Sequence, residues 1–130
     1  MINTNIYNYI NVLDKAADAA NTREEILTNN LANDDTPNYK RKDVSFERYL
    51  EQALLGDRSL DDRIAEVNTH LSDFGGMIYT DTSVLSYRLD GNNVDVDTEN
   101  AMLAENQIRY NTLMEQIKQE FARYKTVLST

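Results

Sequence analysis

Apolar residues at heptad-like spacing stand at both ends of the chain. In the first third, Ile6, Ile10, Leu13, Ala17, Ala20, Leu27 and Leu31 recur at intervals of 4-3-4-3-7-4, with Glu24 as the one polar interruption. Neither glycine nor proline appears before Pro37. The pattern predicts one helix over residues 4–32, about 43 Å long at 1.5 Å per residue. In the last third, Leu103, Tyr110, Met114, Ile117, Phe121, Tyr124 and Leu128 fall at 7-4-3-4-3-4, with Gln107 filling the gap. Seams sustained this long favour coiled-coil packing. Asp97 is placed to cap the second helix, and Glu99 in its first turn meets the positive end of the helix dipole.

Between the seams the periodicity changes. "FERYLEQALL" predicts a short helix. "DFGGMIYTDTSVLSYRLDGNN" carries three of the four glycines, β-branched and aromatic residues, and turn signals at Gly75-Gly76 and Asp90-Gly91-Asn92. It predicts irregular structure with one or two short strands. The fold class is mainly α: long N- and C-terminal helices packing as a coiled coil, with a small irregular, β-containing insert between them. The divisions are 1–33 for the first coiled-coil helix, 34–96 for a proline-ended corner and the insert, and 97–130 for the second. The simplest burial of the seams is against each other, antiparallel. Two helices alone leave apolar flanks exposed, and such flanks usually meet another subunit.

Composition narrows the options. With 41% hydrophobic residues in 130 and a net charge of −9, the chain lacks the basic face that nucleic acid or anionic lipid demands. There is no cysteine, hence no disulfide, thiolate metal site or thiol nucleophile. The first positive charge is Lys15, beside Asp14, so no Sec-type signal peptide is read, and no apolar run reaches 18 residues. Asp95, Asp97 and Glu99 lack the glycine and glutamate spacing of a calcium loop and read as a helix start. His70 is the single histidine and reads as part of an exposed loop, "EVNTH". Asp34-Asp35 read as turn formers rather than an acid–base pair. No catalytic residues, cofactor, metal or small-molecule substrate are assigned.

The only proline stands in "NNLANDDTPNYKRK". Pro37 lacks an N–H and pushes Thr36 out of the helical region, so the first helix must end before it. Asn33 and Asn38 tolerate the left-handed conformation of helix ends and tight turns. Asp34, Asp35 and Thr36 can bond local backbone. Tyr39 reads as an aromatic anchor. Lys40-Arg41-Lys42 admit three readings: contact with an anionic surface, a solvated strand offset by Asp43, Glu47 and Glu51, or ion pairing with acidic neighbours in an assembly. The last is preferred.

This stretch, continued as "NNLANDDTPNYKRKDVSFERYL", resembles the signature of the flagellar basal-body rod and hook proteins. Their N-terminal helix ends in an Asn-Ile-Ala-Asn-x-x-Thr-Pro-Gly-Tyr-Lys type of motif. Asn30, Ala32, Asn33, Thr36, Pro37, Tyr39 and Lys40 match it. Leu31 replaces the isoleucine, and Asn38 replaces the glycine while still able to adopt positive φ. "LDGNNVDVDTENAMLAENQIRYNTL" is similar to the family's Gly-Asn-x-Val-Asp-x-Asp-x-Glu stretch, followed by Asn106 and Tyr110. The likeness spans about 5–50 and 87–128, and the short insert fits a proximal-rod member. It implies a structural part of the flagellar basal body, exported uncleaved by the flagellar type III apparatus to the periplasmic rod, where its terminal helices pack as coiled coils. Implied partners are other rod subunits, the basal-body base (MS ring and rod adaptors) and, during secretion, the export gate, for which Phe46-x-x-x-Leu50 matches the recognition pattern. The same pair is also the plain i, i+4 face of a short helix. A cytosolic coiled-coil adaptor or regulator is the competing reading of the whole chain, and a small acidic hydrolase a third.

Overall fold

The computed structural model describes residues 5–70, 77–85 and 87–129. The Gly75-Gly76 turn and the side chain of Ile6 lie outside the described residues. In chain order the elements are α1 (Asn5–Ala32), β1 (Lys42–Val44), α2 (Phe46–Leu54), α3 (Leu60–Thr69), β2 (Ile78–Thr80) and α4 (Val96–Leu128). The long terminal helices, the short helix after the corner and a two-stranded insert all follow the expected architecture.

α1 makes its largest contact with α4. The pairing is antiparallel: Asn30 bonds Glu99, Asn106 bonds Ala20, and Tyr124 bonds Tyr7. Ile10, Ala17, Ala20 and Leu27 are buried on α1, and Ile117 on α4. Leu13 and Leu31, and Leu103, Tyr110 and Tyr124 opposite, are half-buried. At the far end, the rings of Tyr7 and Tyr124 meet edge-on at 5.3 Å with their hydroxyls 2.7 Å apart. Gln107 does not fill the gap in the seam. It is exposed, donating to Glu24 at 3.0 Å, and Asn106 takes the interior place with no exposed surface.

A second, smaller core forms on another face of α1. Val12, Ile64 and Val67 are buried together, with Tyr9, Leu50, Ala53 and Leu54 around them. This corrects the reading of "EVNTH" as a loop. Glu66 to Thr69 are the last turn of α3, Val67 is 3% exposed, and His70 is the exposed residue that ends the helix. The helix is held because Ile64 and Val67 bury one face in this core and Ser59 caps it, accepting from the Asp62 N–H at 3.2 Å.

The start of α4 also differs from expectation. Asp95, not Asp97, is the N-cap: its Oδ1 accepts from the Asp97 and Thr98 N–H groups at 3.1 and 3.3 Å. Asp97 lies inside the first turn, two positions past the cap, and its own N–H is one of those donors. The bonds to the Thr98 and Asp97 amides hold the Asp95 carboxyl below its ordinary range.

Candidate functional site: the corner and its clamp

Two short strands lie where α1 ends and α4 begins. β1 and β2 pair antiparallel with Asp43 opposite Tyr79. Asn38 adopts φ 60°, the one positive φ outside glycine among the described residues, so the chain turns where the sequence placed a left-handed residue. Asn33 does not share that conformation. It closes the helix end instead, donating from Nδ2 to the Asn29 carbonyl at 2.8 Å and accepting from Thr36 Oγ1 at 3.2 Å. Pro37 and Ala32 are exposed on the outside of the turn.

The end of α1 leaves carbonyls with no helical donor. Asn92, 1% exposed, supplies one: its Nδ2 lies 2.9 Å from the carbonyls of Asn33, Asp34 and Thr36. Arg88 adds a bond to the Asp34 carbonyl at 2.6 Å and ion pairs to Asp34 and Asp90. The Asn38 N–H donates to Asp90 O at 2.8 Å, and Lys40 Nζ to Gly91 O at 2.6 Å. Gly91 has φ 75°, and a Cβ there would stand 2.5 Å from Asn38 Oδ1. The backbone conformation therefore favours glycine, and a Cβ would in addition push the Asn38 side chain aside.

Asn30 is the centre of the arrangement. It has no exposed surface and uses all four of its hydrogen-bonding positions. Its Oδ1 accepts from the Lys42 N–H (3.0 Å) and Tyr39 hydroxyl (3.1 Å), while its Nδ2 donates to Lys42 O (2.8 Å) and Glu99 Oε2 (3.2 Å). Its carboxamide thus pairs with the outer edge of β1 as one residue of a third strand would. Tyr39 is half-buried against this group, and Asn29 also reaches its hydroxyl at 3.4 Å.

Beside Asn30 lies a buried charge cluster. Arg41, 8% exposed, bonds Glu99 and pairs with Asp43 at 3.2 Å and Asp81 at 3.5 Å. Asp43 also takes Arg23 of α1 at 2.7 Å. Burial pulls the Arg41 guanidinium down, but Glu99 and Asp43 outweigh it and hold it above its ordinary range. Burial pushes Asp43 up, yet the bond from Arg23 leads a set that brings it below the usual carboxylate value. Asp81 is lowered first by the Ser83 amide. Asn93 completes the seal, accepting from the Arg41 N–H at 2.7 Å and donating to the Asp81 and Ser83 carbonyls at 2.8 and 3.1 Å.

These contacts correct the reading of the basic run. Lys40, Arg41 and Tyr39 find partners inside the chain rather than on a neighbouring subunit, because the insert folds back and brings residues 81–99 over the corner. Lys42 alone of the three remains exposed. Glu99 is 1% exposed and inside the clamp, not a solvated first-turn acid. Arg23 and Asn93 were not singled out by the sequence pattern, and Asn92 stood out only as part of a turn signal and of the family stretch. The tandem Asn92-Asn93 after Gly91 was the available signal.

The remaining sequence-assigned residues lie away from the corner. Phe46 opens α2 and is 3% exposed, and Leu50 is half-buried one turn on. Together they line an apolar hollow with Ala16, Ala19, Ala20 and Leu113. On α4, Met114, Phe121 and Leu128 lie on a line that α1 does not cover, 39%, 54% and 68% exposed. Among the described residues, no group of three or more His, Cys, Asp or Glu is placed to hold a metal ion, and no helix is long and apolar enough to cross a membrane.

Two long antiparallel helices, clamped at one end by a polar corner, define a mainly helical protein with a line of apolar side chains left exposed on α4. The profile of the family described as "Flagella basal body rod protein" matches residues 10–40. The chain is 41% identical over 119 residues to the flagellar basal body rod protein FlgB of Bacillus subtilis, covering 90% of each. It is 38% identical to FlgB of Borreliella burgdorferi, over 74% of this chain and 77% of that one. For Escherichia coli FlgB the identity is 34%, over 68% and 69%. The chain belongs to the FlgB family of flagellar basal body rod proteins, and its function is structural.

Proposed function

We propose that the protein is a building block of the proximal rod that leaves the cytoplasm through the flagellar type III apparatus without signal cleavage and polymerises through its terminal helices. The observation that carries this reading is the unpartnered line on α4. Met114, Phe121 and Leu128 recur every seven residues, the period at which one helix faces another along a left-handed supercoil. In an isolated subunit these side chains stay in water. In a rod, neighbouring rod subunits and the basal-body base cover them. The export gate takes the chain earlier, through Phe46 and Leu50. Because Phe46 is buried against α1, that encounter precedes folding or requires α2 to detach.

Phe121→Asp tests the reading. The site is exposed, so the purified variant keeps the helicity and melting temperature of the parent. In cells it is secreted normally, fails to enter basal bodies, and abolishes motility. Normal motility with Asp at this position would show that no subunit covers the line.

A further inference from the structure

The two edges of the small sheet are finished differently. In an antiparallel pair, alternate residues direct their backbone groups to the partner strand and away from it. The bonds Ser45 N–Met77 O (3.0 Å) and Asp81 N–Arg41 O (2.8 Å) fix the phase. With Asp43 opposite Tyr79, Tyr79 turns its N–H and C=O towards β1, and Ile78 and Thr80 turn theirs outward. Lys42 likewise points away from β2, and Asn30 takes both of its groups. Nothing comparable closes β2. Among the described residues no group bonds the outward N–H or C=O of Ile78 or Thr80. All three residues of the strand are exposed. Natural edge strands are usually protected by lysine, proline or a bulge, and Ile-Tyr-Thr has none of these.

Two exposed cations stand near this edge, while Asp81, which follows the strand, is turned to Arg41 at 3.5 Å and the Ser83 amide. Lys42 stands directly across the ribbon from Thr80. Arg48 lines a hollow with Tyr79, Ser45 and Gln52. Both cations are exposed, and neither forms an ion pair among the described residues. Glu47, next to Arg48, is turned to Arg109 at 2.7 Å. In a protein of net charge −9, the open strand is therefore rimmed by two unpaired positive charges.

We propose that the β2 edge docks an extended acidic segment of a different protein as a third strand. Backbone bonds to Ile78 and Thr80 supply the register. A docked strand points successive side chains to opposite faces, so neighbouring carboxylates reach Lys42 on one face and Arg48 on the other. A second copy of this chain does not fit the role. Its acidic pairs are not extended: Glu24-Glu25 lie within α1, Asp34-Asp35 in the turn that ends it, and Asp61-Asp62 and Asp97–Glu99 in the first turns of α3 and α4, and two β2 edges together would juxtapose like-charged rims. The site is independent of the α4 line.

The test uses the full-length, isotope-labelled protein and two synthetic peptides, Ac-Thr-Val-Glu-Asp-Val-Thr-NH2 and its counterpart with Lys-Lys in place of Glu-Asp. The acidic peptide slows solvent exchange of the Ile78 and Thr80 amides and binds roughly tenfold more tightly than the basic one, the value of two exposed ion pairs. Thr80→Pro removes one outward N–H without touching the bonds of Tyr79, a place where edge strands accept proline, and loses peptide binding. The double variant Lys42→Glu, Arg48→Glu leaves the backbone edge intact and reverses the preference. Equal binding of the two peptides, no binding at millimolar concentration, or an unreversed preference in the double variant would overturn the proposal. These peptide results leave the rod reading untouched, since that stands or falls on Phe121→Asp in cells.

Discussion

Asn30→Ala is the sharpest perturbation of the corner. The substitution removes an amide with no exposed surface and strands the groups it served. Glu99 Oε2 loses its donor at 3.2 Å inside the protein, and the outer N–H and C=O of Lys42 lose partners at 3.0 and 2.8 Å. The Tyr39 hydroxyl keeps Asn29. A buried polar group left unsatisfied costs about 1–3 kcal/mol. Water can reach Lys42, which is exposed, but not Glu99, whose charge makes its loss costlier than that of a neutral group, so a loss of about 4 kcal/mol is expected. That is a large share of the ~5–15 kcal/mol available to a domain. With an unfolding entropy of ~2.1 cal/mol/K per residue, 130 residues convert the loss into a fall in melting temperature of about 15 °C. Asn29→Ala, removing an exposed neighbour, is the control and shifts it by about 2 °C or less. Asn30→Asp gives an independent check. It sets a carboxylate beside Glu99, so the native state favours its protonated form and its folded pKa rises. Its deficit is therefore smallest below the ordinary carboxylate value near 4 and grows as pH rises through the raised one. Thermal unfolding followed by circular dichroism across pH reads both effects. If Asn30→Ala melts within about 3 °C of the parent, the carboxamide is not the centre of the clamp.

Acid should loosen the same region by a different route. Asp43 and Asp81 have depressed folded pKa values, so their stabilisation is complete above the ordinary value near 4 and is lost as pH falls through the lowered ones; Asp43→Asn flattens that acid limb in a pH series of melting curves. Gly91→Ala destabilises by about 1–3 kcal/mol through positive φ and the contact with Asn38 Oδ1. Asn38→Gly is itself tolerated and relieves the steric part, so a denaturant double-mutant cycle on the two sites gives a non-zero coupling. Asn38→Val, β-branched at φ 60°, is destabilised relative to Asn38→Gly by about 1–2 kcal/mol in the same assay. Asn106→Leu removes a seam amide whose Oδ1 is buried without a partner; its melting temperature is equal or higher, and spin labels on α1 and α4 report a broader distribution of helix registers.

The long helices and the corner were legible because their causes are local. A 4-3 apolar spacing without glycine or proline dictates α1, and Pro37 with Asn38 dictates where it stops and turns. Failure came where the cause was tertiary. Arg41 looks like any residue of a basic surface run, and only the return of the chain through Asp81 and Glu99 makes it interior. Gln107 and Asn106 are adjacent and equally polar. Rotation of α4 by one residue about its axis chooses Asn106 for the seam, and nothing in the spacing of the apolar residues encodes that choice. α3 is a different case. Its signals were local, in Ser59-x-x-Asp62 and the i, i+3 pair Ile64 and Val67, but four apolar residues, one of them Ala65, among six charged or polar ones make a weak period.

The polarity of the clamp and the apolarity of the exposed α4 line belong to one design. A subunit that must present unpartnered apolar side chains cannot also rely on generic burial to fix its shape, because those side chains compete for any apolar surface within the chain. Hydrogen bonds and buried ion pairs are directional, and a misplaced partner leaves a charge or amide unsatisfied at a cost of several kcal/mol. Asn30, Arg41, Asn92, Asn93 and Glu99 thus define the angle between α1, the corner and α4 with little apolar material. The seam repeats the tactic with Asn106, whose single bond to the Ala20 carbonyl at 2.8 Å marks one register among many that methyl groups alone would accept. At the far end the Tyr7–Tyr124 contact is exposed and held by one hydroxyl bond, so the helix pair is tightly specified beside the corner and loosely beside its free ends. The polar specification therefore lies beside the corner and the insert, and it thins out towards the end where Phe121 and Leu128 are exposed.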